Sequence, residues 1–154
     1  MLDMSNIVKR ILLAILVVFL IYLVYVAVSF AIIANQIANP LPEEQLLRSS
    51  EKEIREFILE FTPIAMSCKD VESIIEDNEE WKIDYLSERG YAVSKGVAGI
   101  YTSYDYRVGE KSIRGIIGGY RSGIFSWTDV AVYWGFDENS ELIDIAVTKY
   151  IDGP

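Results

Sequence analysis

The sequence predicts an α+β protein in which a single N-terminal transmembrane helix is followed by a small domain of two helices packed on an antiparallel sheet. Three observations predict it. Residues 11–34, ILLAILVVFLIYLVYVAVSFAIIA, run for 24 residues without a charge. Between Glu43 and Ile75 apolar residues recur at the helical period. From Trp81 the period shortens to two, and the chain closes on two alternating runs around Asp137-Glu138-Asn139-Ser140.

Composition supports this division and removes several function classes. The chain has 154 residues, 51% of them hydrophobic, yet it carries 23 acidic against 14 basic side chains for a net charge of −9. Such a pairing implies two unlike segments, and the length leaves room for one folded domain. One cysteine, Cys68, excludes a disulfide scaffold. No basic cluster is longer than Lys9-Arg10, so phosphate neutralisation on nucleic acid is not expected. The absence of histidine removes imidazole bases, ligands and pH switches. No cofactor or metal is expected.

The first element is the apolar run. At about 1.5 Å per residue, 24 helical residues cover roughly 36 Å, enough for a hydrocarbon core of about 30 Å with some tilt. A cleavable signal peptide would carry a much shorter apolar region. Lys9 and Arg10 precede the run, whereas Glu43 and Glu44 are the first charges after it. The positive-inside bias therefore expects residues 1–10 in the cytoplasm and residues 43–154 outside it, joined by a linker over 35–42 that Pro40 and Pro42 stiffen. With Asp3, Lys9 and Arg10 set apart, 12 basic and 22 acidic residues remain, a net −10 for the outer part. No Asn-x-Ser/Thr sequon occurs, so the expected location is a bacterial cytoplasmic membrane. Within the run and its end, Tyr22, Tyr25, Ser29 and Gln36 fall in one helical stripe about 60° wide, with Ala27 and Ala31 on an adjacent face. The stripe has two readings: ordinary tolerance of such residues in lipid, or contact with a facing helix, including a second copy of this chain.

The outer domain opens with an amphipathic helix expected over 43–61, whose Leu46, Leu47, Ile54, Phe57, Ile58 and Phe61 share one face. A second helix is expected to open at Ser67 with Asp70 three residues on, a capping-box spacing, and to turn Val71, Ile74, Ile75 and a buried Cys68 inward. Trp81, Ile83 and Tyr85 alternate as in a strand, although a helix reaching Leu86 remains open. Ser87-Glu88-Arg89-Gly90 reads as a turn, and residues 97–108 as a β-rich run. Residues 110–117 are expected to form a short helix stopped by Gly118-Gly119. The last hairpin is the clearest element, with Val130, Val132, Trp134 and Phe136 on one face and Ile143, Ile145 and Val147 on the return.

Three consecutive stretches of this region, V-G-E-K-S-I-R-G-I-I-G-G-Y, D-V-A-V-Y-W-G-F-D and E-L-I-D-I-A-V-T-K, carry a resemblance. Residues 108–150 resemble the small lipoproteins of the outer-membrane β-barrel assembly machinery and the β-lactamase-inhibitor proteins that share their fold of a helix pair on a sheet. Those families end the short helix in Leu-Gly-x-Pro, where this chain has Ile117-Gly118-Gly119-Tyr120, and they carry a lipid-modified cysteine where this chain has an apolar span. The resemblance implies protein binding by the sheet or its loops, without catalysis, and transfers no site residues.

Chemistry-bearing motifs are sparse. Ser103, Ser122 and Ser126 lack a histidine base and a G-x-S-x-G elbow. Gly115, Gly118, Gly119 and Gly123 match neither a dinucleotide nor a P-loop spacing. Asp137 to Glu141 offers oxygen ligands without the glycine of a calcium loop. Binding residues are more suggestive: Tyr104 and Tyr106 in the β-rich run, and Tyr120, Arg121, Phe125, Trp127 and Asp129 around the loop before the last hairpin, are of the types enriched at interface hot spots. The expected function is a single-pass, membrane-anchored, non-catalytic protein-binding module, such as a toxin-immunity protein or an accessory of envelope assembly. Its acidic charge favours a basic protein partner. The alternatives are a structural subunit acting through its transmembrane helix and a carboxylate-dependent enzyme.

Overall fold

The computed structural model describes residues 4–93 and 106–152. The chain divides into two compact units, residues 1–40 and 41–154. The described residues of the first form one helix, α1 (Met4–Ala38), which runs past both ends of the expected span. Its segment Val8–Ala38, whose most apolar stretch of 18 residues has a mean hydropathy of 3.2, is long and apolar enough to cross a membrane or act as a signal anchor. Asn39 and Pro40 end the helix, since a proline disfavours helical backbone at the residue before it.

Among its described residues the second unit contains three helices, α2 (Pro42–Arg48), α3 (Glu51–Phe61) and α4 (Cys68–Asp77), and six strands. One helix was expected over 43–61; the structure breaks it at Ser49-Ser50. Ser50 caps α3 reciprocally, its hydroxyl accepting from the Glu53 amide (3.2 Å) while Glu53 accepts from the Ser50 amide (2.8 Å). This capping box offers the backbone a better arrangement than continued helix. It also holds the Glu53 carboxyl below its usual range, chiefly through the Ser50 backbone hydrogen bond. At α4 the expected cap forms: Ser67 accepts from the Asp70 amide (3.2 Å), and the shorter Asp70 side chain reaches the Ser67 hydroxyl (2.7 Å).

Strands β1 (Lys82–Ser87), β4 (Lys111–Arg121), β5 (Trp127–Phe136) and β6 (Leu142–Asp152) form one antiparallel sheet in the order β1-β4-β5-β6, and β2 (Tyr91–Val93) pairs with β3 (Tyr106–Val108). Most of the β-rich run 97–108, including Tyr104, lies outside the described residues. Residues 110–117 are strand rather than the expected short helix. Ile113, Ile116 and Ile117 favour a pleated surface, and glycines are poor helix residues. Those glycines answer to packing: a Cβ on Gly115 would lie 3.0 Å from the Trp134 ring, and Gly118 takes φ +138° at a bulge after Ile116, beneath Leu47.

A bulge between Ile83 and Tyr85 leaves Ile83 against the core and sends Tyr85 to the opposite face, breaking the expected alternation. In the last hairpin Val130, Val132, Trp134 and Phe136 are all buried, as expected, and Asp137 secures the turn by accepting from the Asn139 and Glu141 amides (2.9 Å each). A register shift pairs Phe136 with Leu142, so Leu142 enters the core and Ile143, expected inside, is exposed. The core lies between one face of the sheet and the helices, where Ile54 and Ile58 of α3 and Val71 and Ile75 of α4 form one buried cluster with the inward residues of that hairpin. Its one buried indole is satisfied: Trp134 Nε1 donates to Thr62 Oγ1 (3.0 Å), which donates to the Ile58 carbonyl (3.0 Å).

Candidate partner-binding face

The core face of the sheet is covered by helices, while its other face carries a cluster built by strand register. Tyr85 of β1 pairs with Arg114 of β4, Arg114 with Tyr133 of β5, and Tyr150 stands on the same face of β6. The Arg114 guanidinium lies 5.8 Å from the Tyr85 ring centre, 5.7 Å from that of Tyr133 and 5.1 Å from that of Tyr150. All three distances suit a cation–π contact. Arg114 also pairs with Asp84, and its buried Nε has no hydrogen-bond partner among the described residues.

The Tyr133 and Tyr150 hydroxyls are hydrogen-bonded to each other. Burial, then this hydrogen bond, pushes the Tyr150 hydroxyl up to about 12. At neutral pH it is therefore a proton-bearing donor and acceptor.

One end of the face is closed. Tyr91 of β2 packs on Gly135 and lies 5.7 Å from the Tyr133 ring centre, and its hydroxyl donates to Asp144 (3.1 Å), which also takes Arg55 (2.8 Å). Tyr85 and Tyr150 stay open, at 48% and 37% exposure. A rigid, half-exposed Tyr/Arg surface of this kind can stack on and hydrogen-bond a protein partner.

The candidates of the pre-hairpin loop separate in the structure. Tyr120 turns to the helix side, under Arg48 (4.8 Å) and Lys149 (5.6 Å), where it packs on the core. Asp129 accepts from Trp127 Nε1 (2.9 Å) and so positions the indole. Arg121 donates to the Ile124 carbonyl (2.9 Å), and the Ser122 and Gly123 amides both donate to the Ser126 carbonyl, closing the β4–β5 tip. Phe125, Ile124 and Trp127 project from that tip. Tyr106 opens β3 with its backbone paired to Val93, and Tyr104 lies outside the described residues. On α1, Tyr22, Tyr25, Ser29 and Gln36 keep their common stripe because the helix is continuous, and the Ser29 hydroxyl donates to the Tyr25 carbonyl (2.9 Å) of its own helix.

Sequence reasoning missed Arg114, Tyr85, Tyr133 and Tyr150. The helix assigned to 110–117 hid Arg114, and the bulge hid Tyr85, but Tyr133 was available as the outward residue of a clear alternation. Cys68 is half-buried beside Glu72 (Sγ to Oε1 3.8 Å), and burial and then the Glu72 charge push its thiol up. Among the described residues no three side chains of the types that bind metal are grouped to hold an ion. No protein-family model, curated protein or solved structure matches this chain.

Proposed function

We propose that this protein is a single-pass membrane protein whose outer domain binds another protein through the helix-free face of its sheet. The observation that carries this reading is Arg114 held among Tyr85, Tyr133 and Tyr150 on the sheet face opposite the one that α2, α3 and α4, the described helices of this unit, pack against. Supporting the location, Val8–Ala38 is an apolar helix with Lys9 and Arg10 at its start, which favours a cytoplasmic N-terminus and a domain outside the cytoplasmic membrane of a bacterium. The net −10 of the outer part, with Asp84 and Asp144 beside the tyrosines, favours a basic partner and a salt-sensitive association rate. Toxin immunity and accessory work in envelope assembly both fit such a module.

The test is capture of partners by detergent-solubilised full-length protein, compared across three variants. Arg114→Ala is expected to lower capture of the specific partner by about tenfold or more, the scale of a hot-spot residue. Lys52→Ala, on the exposed side of α3, is expected to leave capture unchanged. Replacing residues 11–34 by an unrelated apolar span is expected to preserve it. Loss on the span exchange, with Arg114→Ala silent, would instead select a subunit acting through its transmembrane helix.

A further inference from the structure

The β4–β5 tip is unlike the rest of the domain surface. Phe125 is 76% exposed, Trp127 43% and Ile124 42%, and on neighbouring β6 Ile151 is 73% exposed. Bulky apolar side chains rarely gather at a projecting turn that meets only water. The turn also holds its own polar groups. The Ser122 and Gly123 amides share the Ser126 carbonyl, the Ser122 and Ser126 hydroxyls bond each other (3.2 Å), Arg121 holds the Ile124 carbonyl, and Asp129 holds the Trp127 indole N–H. Little backbone polarity would have to be stripped of water if the tip entered an apolar medium.

The placement of α2 says which medium lies near. Within the domain, α2 packs on the second half of β4: Leu47 lies over Gly118, Arg48 stacks on Tyr120, and an Arg48 N–H donates to the Arg121 carbonyl (3.1 Å). The chain thus enters the domain at the end of the sheet that carries the tip. Ala38, the last residue of α1, and Pro42, the first of α2, are four residues apart, and a fully extended chain of that length spans at most about 14 Å. Leu41, in this connection, is 58% exposed. If α1 crosses a bilayer, the four-residue connection keeps the start of α2 within about 14 Å of the end of that helix.

We infer that the β4–β5 tip is a second membrane contact, with Phe125, Trp127 and Ile124 seated in the interfacial layer of the bilayer that α1 crosses. The inference rests on the membrane reading proposed above. Trp and Phe are suited to this layer, Trp in particular because its ring is apolar and its N–H polar. The net −10 of the outer part argues against electrostatic recruitment to anionic lipid, so the contact is apolar and does not require anionic headgroups.

The test uses full-length protein in nanodiscs of zwitterionic phosphatidylcholine. Spin labels are placed one at a time at Val18→Cys, Ile124→Cys and Asn139→Cys in a Cys68→Ala background, with near-ultraviolet dichroism confirming the fold. Power saturation then compares access of oxygen, which partitions into lipid, with access of a water-soluble nickel complex. The oxygen-to-nickel ratio at Val18 and Ile124 is expected to be several-fold above that at Asn139, which lies at the opposite end of the sheet. The elevated ratio at Ile124 is expected to fall when Phe125→Ser and Trp127→Ser are added. A lipid-like ratio at Val18 with a ratio at Ile124 equal to that at Asn139 overturns the inference and leaves the span intact. A label at Ile124 shielded from both reagents overturns it too, in favour of a protein contact. A water-like ratio at Val18 overturns the span and the inference together.

Discussion

The two faces of the sheet are built from the same four strands and obey opposite rules. Towards the helices the strands present a cluster of buried aliphatic and aromatic side chains, among them Ile113, Val132, Trp134 and Ile145, and its indole is satisfied through Thr62 to the Ile58 carbonyl. On the other face of the same strands the side chains are Tyr85, Arg114, Tyr133 and Tyr150, joined by ring contacts and by the Tyr133–Tyr150 hydroxyl pair. Alternation along a strand lets one sequence serve stability and recognition at adjacent positions. The helix-covered face determines whether the domain folds. The other face carries no such constraint, and it is the one proposed to meet a partner.

Substitutions that ought to affect only one face put this separation at risk. The largest effect belongs to Trp134→Ala, which removes the biggest fully buried side chain. Its expected cost is about 3–5 kcal/mol, read as a shift in the midpoint of denaturant unfolding. A cost below about 1 kcal/mol would mean that the core does not depend on this side and that the comparison is wrong. Arg114→Ala is the matched probe of the other face. Its ion pair with Asp84 is partly exposed, so the stability cost is expected to stay within about 1 kcal/mol while partner capture falls. If unfolding of Arg114→Ala shifted as far as that of Trp134→Ala, the tyrosine cluster would be a second core and the proposed binding role would lose its basis.

The same contrast explains which parts of the structure were legible in the sequence. The apolar helix, the cap at Ser67 and the inward set Val130, Val132, Trp134 and Phe136 each follow from local chemistry: a charge-free run, a hydroxyl three residues before a carboxylate, a strict period of two. What was not legible depended on partners distant in sequence. Gly118-Gly119 reads locally as a helix stop, but β4 lies between β1 and β5, where Gly115 meets the Trp134 ring and Gly118 meets Leu47. Two bulges, at Ile83 to Tyr85 and at Gly135 to Phe136, moved Tyr85 outward and exchanged Ile143 for Leu142, and nothing in the alternation announces them. The candidate site suffered most because it is assembled across four strands. Arg114 joins Tyr133 only once β4 is known to be a strand, whereas the exposed aromatics of the β4–β5 tip, contiguous in sequence, were found directly.

The smallest effect is a titration within the bare face. Tyr150 loses hydration by burial and shares a hydrogen bond with the Tyr133 hydroxyl, both of which raise its pKa, and Arg114 opposes them without winning. Its ionisation moves from the ordinary value near 10 to about 12. Because the folded-state value is raised, the contribution to stability is complete below pH 10 and is lost as pH rises through about 12. The chain has 10 tyrosines, so the signal is isolated as the phenolate absorbance of the native protein minus that of Tyr150→Phe. The difference curve is expected to centre near 12, and Tyr133→Phe is expected to draw it down towards 10 by removing the hydrogen bond and the charge of Tyr133 while leaving the burial. A curve centred at 10 in the native protein would mean that Tyr150 stands in water, detached from Tyr133 and Arg114. The bare face would then be four separate side chains rather than one organised surface.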